Sequence, residues 1–254
     1  PCKNGGKCSE PTESDMCSDK IPPKLVPKLK LDLRGHMYLK GSNTWRNRVK
    51  GGPSASVSAS VIKEFDTKGG SFHFGDGNVI TVPLKTNPSA MPAVTYECWV
   101  KVGKYDNTKG WIVSQYPDYG WSRALTLSDS RMGAGPGITP GGFDYGTQRQ
   151  PTDTWFHLVG AFEQGKPSTV YVDGVSGKVR SGRNGAGSKG GEMLIIGGRG
   201  PRDGAHNMHY VSVASVRVYN SRLQDADAKA LKKGECVAPL GIYECQCTKG
   251  WIGE

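Results

Sequence analysis

Ten short runs of β-forming residues recur along this chain, each closed within a few positions by Gly, Pro, Asn or Asp. They fall at 28–33, 71–74, 79–82, 94–102, 111–114, 124–127, 155–162, 169–172, 192–196 and 211–219. Several alternate apolar with polar residues, as in Val211-Ser212-Val213 and Phe156-His157-Leu158. Alternation of period two, punctuated by turn residues, is the pattern of strands with one face on a core, and many of them predict an all-β sandwich. Gly 36 and Pro 16 make up about a fifth of the chain and work against long helices. A single stretch, 223–233, reads as a helix, with Asp225 and Asp227 in its first turn, lysines towards its end and Gly234 as a stop. A chain of 254 residues is long enough to bury a real core. No apolar run reaches the roughly 18 residues of a spanning helix. The ends, Pro1-Cys2 and Gly253-Glu254, suggest a processed product or a piece of something larger.

Charge is uneven. The net value is +10, and residues 20–50 hold nine basic residues against Asp32 alone. Residues 178–202 hold six against Glu192. Two basic segments on an otherwise near-neutral chain point to an acidic partner, such as an anionic glycan, a nucleic acid or a membrane surface. The plainer reading is a solvated face that keeps the protein soluble.

Six of the seven cysteines, Cys2, Cys8, Cys17, Cys236, Cys245 and Cys247, crowd into the two ends, and Cys98 stands alone in an apolar run as a buried free thiol. Cys-x-Cys is not a zinc spacing and no histidine accompanies either cluster, so a disulfide framework from an oxidising compartment is the better reading. "PCKNGGKC" resembles the second and third cysteines of an EGF-like module, and "YECQCTKGWIGE" its fourth and fifth. More than 230 residues separate the halves, so the resemblance implies a domain inserted into the module. By its pairing Cys2 joins Cys245, while Cys8 and Cys247 look outward to partners beyond the two ends. Cys17 lies nine residues after Cys8 and Cys236 nine before Cys245, and this symmetric pair would close the neck of the insert.

Between the halves, "SFHFGDGNVITVP" (71–83), "VTYECWVKV" (94–102), "TWFHLVGAFEQGKPSTVYVDGV" (154–175) and "VASVRVYNSRLQDADAKAL" (213–231) together resemble the laminin-G-like, concanavalin A-like jelly roll in its pentraxin-related variety. The expected fold is therefore an all-β, two-sheet antiparallel jelly-roll sandwich with one short C-terminal helix, flanked by two halves of a small EGF-like module. Its parts are 1–17, a Pro-rich connector at 18–27 held extended by its prolines, the jelly roll at 28–234, and 235–254. Within it His157 is expected as a packed structural histidine, Trp99, Trp155 and Tyr219 as core, and Asp173-Gly174 as a type I′ hairpin turn.

The fold also hosts glucanases, whose strand carries Glu-x-Asp-x-x-Glu; that triplet does not occur here, nor does a Gly-x-Ser-x-Gly elbow. The chain therefore reads as a non-enzyme. The resemblance implies no cofactor other than a structural calcium, for which Asp66, Asp76 and Asn78 supply hard oxygen ligands. Against it, Ala214 and Ser215 stand where relatives carry an acid. For a glycan, Tyr116, Asp118, Tyr119 and Trp121, with Phe143, Asp144 and Tyr145, put aromatic faces beside carboxylates in two glycine-rich loops. These aromatics could equally pack within their own loops. For an anionic partner the leading contacts are Arg46, Arg48, Lys50, Arg180 and Arg183. No N-glycosylation sequon is present, Asn87 being followed by Pro88. The reading is an extracellular binding and architectural module of a larger secreted or cell-surface protein. It would recognise a glycan or an extracellular protein, contact neighbouring modules, and take neither nucleic acid nor membrane insertion. The alternatives are a structural subunit of an extracellular fibre or cell-surface hair and, last, a divergent glycan hydrolase.

Overall fold

The computed structural model describes residues 21–63, 65–67, 70–75, 78–103, 110–116, 123–128, 131–136, 144–145, 152–177, 191–198 and 210–234. The terminal segments 1–17 and 235–254 lie outside them, and with them the pairs Cys2–Cys245 and Cys17–Cys236.

The described chain forms two antiparallel sheets facing one another. Sheet A holds β1 (Leu29–Arg34), β4 (Phe65–Asp66), β5 (Ser71–Phe74), β7 (Ala93–Val102), β12 (Trp155–Glu163), β13 (Thr169–Val172), β14 (Val175–Ser176) and β16 (Val211–Tyr219). Sheet B holds β2 (Thr44–Trp45), β3 (Ala55–Val57), β6 (Ile80–Val82), β8 (Gly110–Tyr116), β9 (Arg123–Ser128), β10 (Arg131–Pro136), β11 (Asp144–Tyr145) and β15 (Met193–Ile196). The order in sheet A is β14-β13-β12-β7-β16-β5-β4, and in sheet B β11-β10-β9-β8-β15-β6-β3-β2. The last strand is the hub of sheet A. One edge of β16 pairs with β7; the other is shared, Val211–Val213 pairing with β5 and Ser215–Tyr219 with β1, and its register with β7 shifts at a bulge between Val213 and Ser215. The expected two-sheet sandwich is thus the observed architecture.

Period-two alternation sends Tyr96, Cys98, Val100, Leu158, Val216 and Val218 of sheet A inward, against Ile80, Val82, Leu125, Leu194 and Ile196 of sheet B. Cys98 is a buried free thiol. One end of the core is aromatic, where Tyr38, Trp45 and Phe65 each lie 4.7 Å from the Phe72 ring. Asp173 (φ 51°) and Gly174 (φ 76°) both occupy the left-handed region between paired Val172 and Val175, which is the type I′ turn read from Asp-Gly.

Three expectations change. The connector is not extended: Pro23–Lys28 is a 3₁₀ helix, since proline at a first helical position loses nothing by lacking an N–H. The Leu25 N–H donates to the Pro22 carbonyl (2.7 Å), and the Leu25 side chain buries with Tyr219, Leu223 and Leu231. A short helix that was not expected, α1 (Ala59–Lys63), follows β3, and the expected one, α2 (Asp225–Gly234), begins two residues late. The Leu223 N–H is held by Thr95 Oγ1 (3.0 Å), and Asp227 accepts the Gln224 N–H (3.2 Å) in the manner of half a capping box. Trp155 lies half-buried on the outer face of sheet A, not in the core, and Trp99 is buried on that same outer face. The strand alternation sets Trp155 and His157 opposite to Phe156 and Leu158.

Candidate functional site

Side chains on the outer face of sheet A form rows across its strands. Thr95, Ala161 and Tyr219 make one; Asp32, Arg217 and Glu97 the next; Arg34, Ser215, Trp99 and His157 a third; and His73, Ser212, Lys101 and Trp155 a fourth. Helix α2 lies over the first three. Ala228 packs on Val159, Ala161 and Tyr171, Tyr171 OH donates to Asp225 Oδ1 (2.8 Å), and Lys232 Nζ sits 4.8 Å above the Trp99 ring while bonding Asp173 (2.5 Å). Burial pushes the Tyr171 phenol well above its ordinary pKa, and the hydrogen bond to the Asp225 carboxylate adds to it.

The second and third rows are a buried ionic layer. Glu97 is 1% exposed and Asp32 4%. Glu97 Oε1 accepts from Arg217 Nη1 (3.0 Å) and His157 Nε2 (2.9 Å), and Oε2 from Tyr219 OH (2.6 Å). A carboxylate facing Arg217 only accepts, so Nε2 of His157 carries a proton. Asp32 Oδ1 accepts from Arg34 Nε (2.6 Å) and Arg217 Nε (3.3 Å), and its Oδ2 lies 3.7 Å from Arg48 Nη1. His157 is therefore the structural residue expected. Glu97, isolated in sequence, belongs to a network reaching strands from four parts of the chain.

The exposed charge lies beside this layer, on the segment that caps the free edge of β1. The backbone of Lys30, Asp32 and Arg34 faces away from β16, and residues 45–48 cap that edge. Trp45 Nε1 donates to the Arg34 carbonyl (2.8 Å), the Arg48 N–H to that of Asp32 (3.0 Å), and Asn47 Nδ2 to that of Lys30 (3.2 Å). Asn47 Oδ1 accepts the N–H groups of Asp32 (2.9 Å) and Val49 (3.0 Å). Covering a sheet edge this way blocks strand addition. It also holds the backbone that carries exposed Arg46, Arg48 and Lys50 against the half-buried Lys30, while Asp32, the one acid between residues 20 and 50, is buried with Arg48 at its Oδ2. Arg180 and Arg183 lie outside the described residues.

For calcium, Asp66 is exposed in β4, the half-buried Asn78 gives its N–H to the Gly75 carbonyl (3.2 Å), and Asp76 lies outside the described residues. Among the described residues no group of three or more His, Cys, Asp or Glu could hold a metal. At the bulge in β16 where relatives were expected to carry an acid, the Gly35 backbone packs so tightly on the carbonyls of Gly70 and Ala214 that a Cβ would overlap them. Of the aromatic loops, Tyr116 ends β8 half-buried, and Asp144 and Tyr145 form β11, three strands along the same sheet. The side chains of Asp144 and Tyr145, and all of Asp118, Tyr119, Trp121 and Phe143, lie outside the described part.

Residues 74–229, more than half of the chain, match the laminin G-type family described as the concanavalin A-like lectin/glucanases superfamily. The chain belongs to that superfamily. Solved structures similar to this concanavalin A-like chain include a Trypanosoma rangeli sialidase in complex with 2,3-difluorosialic acid (TM-score 0.63, 18% identity, 84% of this chain and 33% of the sialidase). The botulinum neurotoxin serotype D binding domain is another (TM-score 0.63, 11% identity, 85% and 53%). At such identities the likeness is one of fold, and the concanavalin A-like chain spans about a third of the sialidase's length. No curated protein matches its sequence.

The sequence reading missed all four outward positions of the fourth row. Trp155, expected in the core, could have been placed outward from its alternation with Phe156; His73, Ser212 and Lys101 carry no signal until β5, β16 and β7 are paired.

Proposed function

We propose that this chain is a non-catalytic binding module of an extracellular protein, taking an anionic polysaccharide along the capped edge of β1. The observation that carries the reading is the edge itself: Arg46, Arg48 and Lys50 exposed on backbone that Asn47 ties to Lys30, with the segment's one acid buried beneath Arg48. A basic loop whose backbone is held loses less loop freedom on meeting a sulfated chain than a mobile one does. Similar folds include a sialidase crystallised with sialic acid and a toxin's binding domain, which suits recognition of a glycan or a protein. Asp32 and Glu97 are occupied by guanidinium, imidazole and phenol groups beneath the surface, which favours binding over hydrolysis at this face. The clustered terminal cysteines suit an oxidising, extracellular setting.

The test is retention on immobilised heparin against a neutral glucan column. Wild type should bind heparin and elute earlier as salt rises, because exposed charges are screened over about 8 Å at physiological ionic strength. Arg46→Ala/Arg48→Ala should elute at lower salt. Equal elution from both columns, or no effect of the double substitution, would overturn the proposal.

A further inference from the structure

We infer a second saccharide site, separate from the basic edge, on an outer row of sheet A that α2 does not cover among the described residues. Four neighbouring strands bring His73 (β5), Ser212 (β16), Lys101 (β7) and Trp155 (β12) into register, Ser212 pairing with both His73 and Lys101, and Lys101 with Trp155. They touch in two pairs: His73 Nδ1 lies 3.2 Å from Ser212 Oγ, and Lys101 Nζ 5.5 Å from the Trp155 ring centre. The row is about 14 Å long at the usual strand spacing, the reach of a short oligosaccharide.

Two loop residues stand at its lip. Asp153 (φ 58°) precedes β12 and Tyr210 (φ 59°) precedes β16, both in the left-handed region though neither is glycine. Both are tied to the end of β7, the Asp153 N–H donating to the Val102 carbonyl and the Gly103 N–H to that of Tyr210, each at 2.7 Å. The Tyr210 side chain is 45% exposed, and Asp153 is exposed. α2 reaches only as far as Trp99, one row short. In the fourth row His73, Lys101 and Trp155 are half-buried, with Ser212 8% exposed between them.

The chemistry selects one ligand class, an acidic saccharide. Indole and phenol rings offer flat apolar faces to the C–H face of a pyranose. Lys101 sets a cationic donor at the centre, beside the hydrogen-bonded His73–Ser212 pair, which suits a carboxylate more than a neutral ring, and Asp153 accepts hydroxyls at the edge. The occupant of the row is thus a carboxylated sugar, a uronate or its equivalent.

The experiment is calorimetric titration with an unsulfated hyaluronan hexasaccharide, with cellohexaose as the neutral control. Wild type should bind the uronate oligomer at least fivefold more tightly than cellohexaose. Lys101→Met and Trp155→Ala should each weaken it fivefold or more, with Arg46→Ala/Arg48→Ala changing it less than twofold. Circular dichroism and melting confirm that each variant is folded; should Trp155→Ala fail to fold, Lys101→Met and Ser212→Ala carry the test. No binding by wild type, equal binding of the two oligosaccharides, smaller losses in the row variants, or loss in the Arg46→Ala/Arg48→Ala variant would overturn the second site. Only the heparin experiment bears on the first.

Discussion

Replacing Glu97 by Gln removes one negative charge from beneath α2 while keeping the side chain's size. Glu97 accepts three hydrogen bonds, from Arg217, His157 and Tyr219, and a charged acceptor makes each worth about 1.5–3 kcal/mol. Glutamine keeps one oxygen, so part of that survives, but its amide turns a second donor towards Arg217 or Tyr219. Losing one partner of a buried ion pair costs about 3–5 kcal/mol, because the remaining charge stays out of water. Asp32 at 3.3 Å from Arg217 Nε compensates in part, which places the expectation near 3 kcal/mol, the lower end of that range. At roughly 2–4 °C per kcal/mol for a domain this size, the melting temperature should fall by about 6–12 °C. Urea unfolding followed by circular dichroism checks it, the midpoint dropping with an unchanged slope. Glu97→Leu/Arg217→Met, which removes both charges, should be more stable than Glu97→Gln. A loss under about 1 kcal/mol in the single variant, or a double variant less stable than the single, would refute the account of the layer as mutually dependent charges.

Alkaline pH should also unfold the chain in a defined window. Burial holds the pKa of the Tyr96 phenol, which donates to Thr86 Oγ1 (2.8 Å), up to about 12, against an ordinary 10.0, so its stabilisation is whole below pH 10 and lost by about pH 12; a melting temperature constant across pH 10–12 would contradict this. Gly197→Ala should cost about 2 kcal/mol or more in urea unfolding, since φ is +88° there and a Cβ would enter the Phe74 ring; a variant as stable as wild type would exclude that packing.

Residues of the sandwich were legible wherever their pattern was local. The alternation of β7, β12 and β16, the whole of 71–74 and the Asp173-Gly174 turn all lie within a few residues of themselves. The connector was not, because prolines suit a 3₁₀ turn as well as an extended chain, and the choice was made by a pocket for Leu25 formed from residues nearly 200 positions later. Strands β2 and β4, of two residues each, are too short to alternate and exist because Trp45 and Phe65 pack on Phe72. The basic segment was visible as composition, but its capped edge depends on Asn47, whose amide reads as an ordinary loop residue until β1 lies beside it. The row at Trp155 was hidden more deeply, since His73 and Ser212 are 139 residues apart.

The place of β16 at the hub has a kinetic consequence. A ribosome delivers β7, β5 and β1 long before Val211–Tyr219, the strand that joins them, and the Asp32–Arg217 contact spans 185 residues. Until then one edge of β7 is bare and the halves of sheet A have nothing between them, so loop closure comes before any reward. Completion of the sheet is a late, slow event, during which the exposed edge of β7, with Val94, Tyr96, Cys98 and Val100 beside it, is open to the wrong strand. A chain stopped just before Val211 should then accumulate as an aggregation-prone intermediate.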